Sequence, residues 1–274
     1  MVSSPHAFPR DRRPGARRSL LAGLALTASL LAVPAGTMAV AQQPSDDGCG
    51  IRPLDVVLVI DRSGSMGNQQ TASGTPAQVR MVYAKQAAKQ LVDDLQANGG
   101  VGGANRHMVG VTSYGNSTAT VNVQLGAGAT SSAVKTAIDG LNPNGNTPLK
   151  QGMAAAAADM LAGDRTEVDG LEVRQVLIIL SDGQPYPSGN RPNSTEIANF
   201  KAAADEVFSI AIGQGGSGAQ APDLALMESL AKPGDGSHYY HVTTGDQLPD
   251  IFSKIFDEIA CSPDIEIEKS ADVS

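Results

Sequence analysis

The sequence is poor in the residues that build zinc sites and nucleophilic active sites. It has only two cysteines, Cys49 and Cys261, and four histidines. Two isolated cysteines cannot fill a tetrahedral zinc site. His238 and His241 are three positions apart in a predicted strand, so they face opposite sides and cannot hold one ion together. The G-x-S-x-G elbow of α/β-hydrolases is absent, and neither cysteine has an evident histidine partner. Nothing here supports a hydrolase.

An excess of positive charge is also missing. The 274 residues include 20 lysines and arginines and 28 acidic residues, a net charge of −8. Five arginines and one aspartate fall within residues 1–41; without them, 15 basic and 27 acidic residues remain, a net charge of −12. A surface this acidic repels nucleic acid and anionic membranes, so we expect neither as a partner. It is compatible with a bound divalent cation.

No apolar run is long enough for a comfortable membrane span. Leu20–Val33 has fourteen residues without a charge, whereas a spanning helix needs about 20. Arginines precede this run and Ala39–Ala41 follows it, which is the order of a secretory signal peptide with an A-x-A cleavage site. We predict that residues 1–41 are removed during export, with an uncleaved anchor as the alternative. The Arg17–Arg18 pair resembles a twin-arginine signal, and the general secretory route stays equally open.

The two cysteines flank almost everything that has the pattern of a folded domain. Residues 42–53 are polar and rich in turn formers, and they are predicted to be a linker. In an exported chain, an even pair of cysteines predicts a disulfide, here between Cys49 and Cys261. Two free buried thiols are the alternative. The mature chain is predicted to have no transmembrane segment and to be secreted or located at the cell surface.

Strands alternate with helices along most of the chain. Leu54–Ile60 and Val173–Leu180 contain long β-branched runs, which are typical of strands buried on both faces of a parallel sheet. Between them, helical spacing covers residues 76–97, and an alanine-rich helix is predicted from Pro148, with Thr147 as its N-cap. This order predicts an α/β fold: a doubly wound, mostly parallel central sheet of about six strands, with helices on both faces. A predicted hairpin over residues 107–125 makes one edge strand antiparallel.

Hard oxygen donors occur at three places that should meet at one edge of this sheet. They are the D-x-S-x-S motif after the first strand (Asp61, Ser63, Ser65), Thr147 at a helix start, and Asp182 after the later strand. Open α/β sheets bind ligands at the carboxyl ends of their strands. Two carboxylates and three hydroxyls, without sulfur or imidazole, suit Mg²⁺, with Mn²⁺ or Ca²⁺ as substitutes. The alternative is that the serines only shape a turn and the threonine only caps a helix.

This combination resembles the von Willebrand factor type A (vWA) domain with its metal-ion-dependent adhesion site, of the type found in exported bacterial surface proteins. In that family, D-x-S-x-S follows the first strand, a threonine lies on a middle loop, and an aspartate ends the fourth strand. The resemblance covers about residues 50–261 and places the vWA domain at 54–261. Residues 262–274 stand apart, and 265–274 weakly resemble the start of the β-sandwich repeats that follow adhesive domains.

The resemblance also implies a role for each residue. Ser63 and Ser65 should contact the metal through their hydroxyls, and Thr147 directly or through water. Asp61 and Asp182 should act through water or by orienting the serines. One coordination position then stays open to an Asp or Glu carboxylate of a partner protein. The expected function is Mg²⁺-dependent protein binding outside the cell, without catalysis, because both carboxylates are committed to the metal. The alternative is an exported structural module that uses the same site to assemble a cell-envelope complex.

A second motif carries less weight. Residues 213–218 spell G-x-G-x-x-G after a predicted strand, which is the pattern of a dinucleotide-binding loop. The motif lies on the fifth strand, its helix begins late, and the next strand ends in threonines where an acid for a ribose is needed. A flexible loop is therefore the preferred interpretation.

Overall fold

The computed structural model describes residues 52–70, 78–214 and 221–260. The predicted signal peptide (1–41), most of the predicted linker, the Cys49–Cys261 disulfide and the tail (262–274) lie outside the described residues. Most of the glycine-rich motif at 213–218 does so as well. Within the described ranges, no helix is both long enough and apolar enough to cross a membrane.

Six strands form the central sheet. They are β1 (Leu54–Asp61), β2 (Met108–Gly115), β3 (Thr118–Val123), β4 (Arg174–Ser181), β5 (Glu206–Ile212) and β6 (Tyr239–Val242). Their spatial order is β6-β5-β4-β1-β2-β3, and every neighbouring pair is parallel except β2 with β3. The prediction of a six-stranded, mostly parallel sheet with one antiparallel edge strand is confirmed.

Helices cover both faces of the sheet. They are α1 (Arg80–Ala97), α2 (Ser131–Asp139), α3 (Leu149–Gly163), α4 (Ser194–Ala202), α5 (Leu224–Leu230) and α6 (Leu248–Ala260). One hydrophobic core lies between the sheet and α1, α2 and α6. A second core lies between the sheet and α3, α4 and α5. This double cover is what the doubly wound prediction requires.

The sequence of β1 is almost entirely apolar because both faces of this strand are covered. Every residue of β1 is buried. Val56, Leu58 and Ile60 point into the first core, whereas Val57 and Val59 point into the second. Side chains alternate between faces in a strand, so a strand covered on both sides must be apolar at successive positions. Each fully buried aliphatic side chain contributes about 1.5–3 kcal/mol, so both layers hold β1 firmly at the centre.

The helix α1 begins at Arg80, later than the predicted start at residue 76. Before it, Gln78–Val79 pairs antiparallel with Gln69–Gln70 in a separate two-stranded ribbon. The backbone N–H of Arg80 donates to the carbonyl of Asn68 at 3.1 Å. This ribbon therefore anchors the start of α1 close to the chain that leaves the D-x-S-x-S motif.

The predicted capping of α3 by Thr147 is wrong by one residue. The helix begins at Leu149, its N-cap residue is Pro148, and no side chain caps it. The amides of Gln151 and Gly152 both donate to the Pro148 carbonyl at 3.1 Å, which makes Pro148 the first acceptor of the helix. Thr147 instead forms an isolated antiparallel bridge with Tyr186. Because its hydroxyl makes no cap bond, Thr147 remains available as an oxygen donor.

Candidate metal centre

The two aspartates of the predicted site lie side by side at the carboxyl edge of the sheet. Asp61 is the last residue of β1, and Asp182 directly follows the last residue of β4. The two strands are parallel neighbours, with Ile60 paired to Leu180. Both aspartates are fully buried. The structure thus brings together two carboxylates that are more than a hundred residues apart in the sequence.

The serines of the motif connect the two aspartates. The Ser63 N–H donates to Asp61 Oδ1 at 2.7 Å, which closes the turn after β1. Ser65 Oγ donates to Asp182 Oδ1 at 2.7 Å, and it lies 3.0 Å from Ser63 Oγ. A hydroxyl has one proton and two lone pairs, so Ser63 must donate to Ser65 in this arrangement. The lone pairs of Ser63 Oγ then remain free to bind a cation.

The loop that carries Thr147 is hydrogen-bonded through its backbone to the D-x-S-x-S loop and to the chain that follows Asp182. The Gly64 N–H donates to the Gly145 carbonyl at 2.9 Å, and Thr147 and Tyr186 exchange two N–H···O bonds of 3.1 Å. Gly145 has φ +65°, and a Cβ there would lie 2.6 Å from the Cα of Asn116, so glycine is required. Thr147 itself is 6% exposed. It therefore lies in a loop fixed between the D-x-S-x-S loop and the chain that follows Asp182.

Two further residues complete the site, and neither was predicted from the sequence. Ser181 Oγ donates to Asp61 Oδ2 at 2.7 Å, and Arg80 Nη1 donates to Asp182 Oδ2 at 2.7 Å. The position of Ser181 beside Asp182 at a strand end was a usable signal. No sequence signal pointed to Arg80, because its contact with Asp182 spans 102 positions and depends on where α1 begins.

All four carboxylate oxygens of Asp61 and Asp182 therefore accept a hydrogen bond from a protein donor. The oxygens left for direct contact with a cation are the hydroxyls of Ser63, Ser65 and Thr147, which are neutral and hard. Within the described part of the chain, no three His, Cys, Asp or Glu side chains come together as a metal-ligand group. Hydroxyls backed by carboxylates suit Mg²⁺, which prefers oxygen ligands and retains several waters. The residues present fit the ion that the sequence predicted.

The electrostatics of the site also favour a cation. Burial and, to a smaller extent, the nearby charge of Asp182 raise the pKa of Asp61 to about 7. Burial also raises the pKa of Asp182, although hydrogen bonds from Arg80 and Ser65 hold its charged form. Two buried carboxylates in one place disfavour each other's ionised state. A divalent cation would remove that penalty.

Comparisons with known proteins identify the family of this fold. The model of the von Willebrand factor type A domain matches residues 55–254. The chain is 26% identical over 211 residues to the collagen alpha-5(VI) chain of Mus musculus, across 77% of this chain and 7% of that one. It thus spans a small part of that relative.

Solved structures share the fold at lower identity. Proximal thread matrix protein 1 from the mussel byssus, with a zinc-occupied MIDAS motif, aligns with a TM-score of 0.57 at 18% identity, over 76% of this chain and 48% of that one. The pilus adhesin SpaC from Lactobacillus rhamnosus GG aligns with a TM-score of 0.56 at 17% identity, over 77% and 30%. The family model covers most of the described sheet and helices, so this chain belongs to the von Willebrand factor type A domain family.

Proposed function

We propose that this chain is an exported module that binds a partner protein through Mg²⁺ at a metal-ion-dependent adhesion site. Asp61, Ser63, Ser65, Thr147 and Asp182 form the site. The observation that carries this proposal is a hydrogen-bonded chain between two buried carboxylates at the carboxyl edge of the sheet. It runs from Asp61 to the Ser63 amide, and from the Ser63 hydroxyl through the Ser65 hydroxyl to Asp182.

The binding chemistry follows from the donor set. Ser63, Ser65 and Thr147 would hold the ion through neutral oxygens, while Asp61 and Asp182 orient the serines and balance its charge. When bound, Mg²⁺ supplies positive charge and a coordination position that the protein does not fill. An Asp or Glu carboxylate of the partner suits that position, because neutral ligands leave the ion under-neutralised. Mn²⁺ or Ca²⁺ could replace Mg²⁺.

Several observations support extracytoplasmic binding over catalysis. The N-terminal pattern predicts export, and the mussel and Lactobacillus structures are those of a byssus thread matrix protein and a pilus adhesin. A magnesium-dependent hydrolase would need a general base beside the ion. Both oxygens of Asp61 and both oxygens of Asp182 accept hydrogen bonds from protein donors, so neither carboxylate is left free for that role.

A second candidate function keeps the site but changes the partner. The named relatives include a collagen chain and a thread matrix protein. They favour an exported structural module that uses the metal to join a cell-envelope complex. A partner from the same cell would support assembly, and a host or matrix protein would support adhesion.

Calorimetric titration with Mg²⁺ tests the metal site directly. We expect wild-type protein to bind one ion with modest affinity, and Ser63→Ala to bind it about 10–100-fold more weakly, because a ligand oxygen is lost. Ser188→Ala, which changes an exposed serine in a neighbouring loop, is the matched control and should bind like wild type. Equal Mg²⁺ affinity in Ser63→Ala and the control would refute the proposed site.

Capture experiments with envelope and extracellular fractions test the partner. Binding should require Mg²⁺, disappear with chelator, and be lost in Asp61→Ala while the fold is retained. The captured protein should in turn raise the Mg²⁺ affinity of this chain. The factor should equal that by which Mg²⁺ raises the affinity for the captured protein, since linkage is reciprocal. Chelator-resistant capture by Asp61→Ala would place the binding surface elsewhere.

A further inference from the structure

Arg80 places a permanent positive charge inside the candidate metal centre. Its Nη1 lies 2.7 Å from Asp182 Oδ2, and the two side chains are 12% and 0% exposed. A Cβ added at Gly213 would lie 3.3 Å from Arg80 Nη2, so the guanidinium lies between the end of β4 and the end of β5. It thus borders the candidate site and contacts one of the two carboxylates.

The position of this charge is fixed by the fold. Arg80 is the first residue of α1, and its backbone N–H is held by Asn68. A guanidinium does not lose its proton in proteins, so the charge is present at every working pH. Buried charges interact strongly with their neighbours because water screens them poorly. Any cation bound by Ser63 and Ser65 must therefore bind against the field of Arg80.

The formal charges show what this arrangement does. When both are ionised, Asp61 and Asp182 carry two negative charges, and Arg80 cancels one of them. A divalent ion then leaves the site with one net positive charge, which a partner carboxylate neutralises. Without Arg80, the same ion would already be neutralised by the two aspartates, and little charge would remain to attract a partner.

We propose that Arg80 sets the charge of the metal site, weakening the binding of the metal and strengthening the binding of a carboxylate to the loaded site. This proposal rests on the proposed function. It makes Arg80 a positioning and charge-setting residue that does not itself contact the metal. A purely structural ion pair would behave differently, because its loss would free Asp182 to move and would weaken metal binding.

Magnesium titrations with a simple carboxylate separate these two roles. Calorimetry at constant ionic strength is run with and without excess sodium acetate, on wild type, Arg80→Gln, Arg80→Met and Arg80→Lys. The glutamine and methionine variants both remove the charge, and methionine preserves the packed apolar stem if the glutamine variant fails to fold. Lys89→Gln is the matched control: it removes one positive charge from the same helix, paired with exposed Asp139, about 13 Å farther along the axis.

We expect the neutral variants to bind Mg²⁺ about tenfold more tightly than wild type. Acetate should tighten Mg²⁺ binding in wild type, in Arg80→Lys and in Lys89→Gln, and should have little effect in the neutral variants. Metal-free circular dichroism checks that each variant is folded. If the folded neutral variants bind Mg²⁺ as weakly as wild type or more weakly, or keep the acetate effect, the role of Arg80 is refuted. If wild type binds no Mg²⁺, the proposed function itself fails.

Discussion

The strand β1 carries a buried aspartate at each end, and the two have opposite surroundings. Asp55, near its start, faces Arg165, whose Nε and Nη2 lie 3.0 and 2.5 Å from Oδ1 and whose backbone N–H donates to Oδ2 at 2.9 Å. Asp61, at its end, accepts hydrogen bonds from the Ser63 amide and the Ser181 hydroxyl. Both carboxylates are fully buried, but only Asp55 has a cation of its own among the described residues.

This difference separates a structural carboxylate from a candidate functional one. Burial raises the pKa of Asp55, and the Arg165 guanidinium opposes that rise by holding the charged form. At Asp61, the charge of Asp182 adds to the effect of burial. Asp55 and Asp61 are equally buried in the same strand. Asp55 is paired with a guanidinium, whereas Asp61 has no cationic partner among the described residues. The partners of a buried carboxylate, more than its burial, indicate its role.

The largest expected effect comes from removing Asp55, the carboxylate that is paired with Arg165. Asp55→Ala should lower the free energy of unfolding by about 3–5 kcal/mol, because Arg165 would remain buried without its counter-charge. Urea denaturation measures this loss. The Mg²⁺ affinity of the folded variant should stay at the wild-type level, because the change lies at the opposite end of the strand. A loss below about 1 kcal/mol would show that Arg165 finds other partners.

A smaller effect on the free energy of unfolding, of opposite sign, is expected from changing Asp61. The pKa of folded Asp61 is about 7 against an ordinary value of 3.8, so the metal-free native state holds this proton more tightly than the unfolded chain. Its stability should therefore fall as pH rises from about 4 through about 7. Asp61→Asn removes this dependence, and above pH 7 it should be more stable than metal-free wild type by roughly 2 kcal/mol.

Urea denaturation in chelator, at about pH 5 and about pH 8, checks this prediction. Asp139→Asn is the control, since its carboxylate is 57% exposed and should change stability little at either pH. Asp61→Asn should also lose Mg²⁺ binding, which would make Asp61 a residue that favours function at the expense of metal-free stability. A variant less stable than wild type at the higher pH would contradict this account.

The smallest expected effect comes from a substitution that removes a hydrogen bond to Asp61 and no charge. Ser181→Ala deletes the hydroxyl that donates to Asp61 Oδ2, and it should cost about 1 kcal/mol of unfolding free energy. Metal affinity should fall only a few-fold, because Asp61 keeps its bond from the Ser63 amide. Parallel urea and Mg²⁺ titrations measure both quantities. A loss as large as that of Ser63→Ala would mean that Ser181 fixes the whole site.

The sequence predicted those parts of the molecule that depend on local pattern. The β-branched runs of β1 and β4 identified buried parallel strands, and strand ends then placed Asp61 and Asp182 at one edge. The ion pairs could not be found in this way: Arg80 and Asp182 are 102 positions apart, and Arg165 and Asp55 are 110 apart. Such pairs depend on side-chain directions after packing, which no spacing rule encodes.

The cap predicted for α3 failed for a related reason. A threonine before Pro-Leu is a local signal of a helix start. In the folded chain, the backbone of Thr147 is committed to Tyr186, a partner in a distant loop. A tertiary backbone contact overrode the local preference, and the helix began one residue later than predicted, at Leu149.

The loops of the candidate metal centre are joined mainly by backbone bonds, from Gly64 N–H to the Gly145 carbonyl and from Asn144 N–H to the Arg62 carbonyl. Such bonds do not depend on which side chains the residues carry, apart from Gly145 and Asn116, whose φ angles of +65° and +60° favour glycine and asparagine. The side chains of Asn142 and Asn144 are exposed beside these bonds. They could be randomised in a display library while the ligand oxygens keep their places. The domain would then serve as a scaffold for selecting new metal-dependent binders, with affinity switched on by Mg²⁺ and off by chelator.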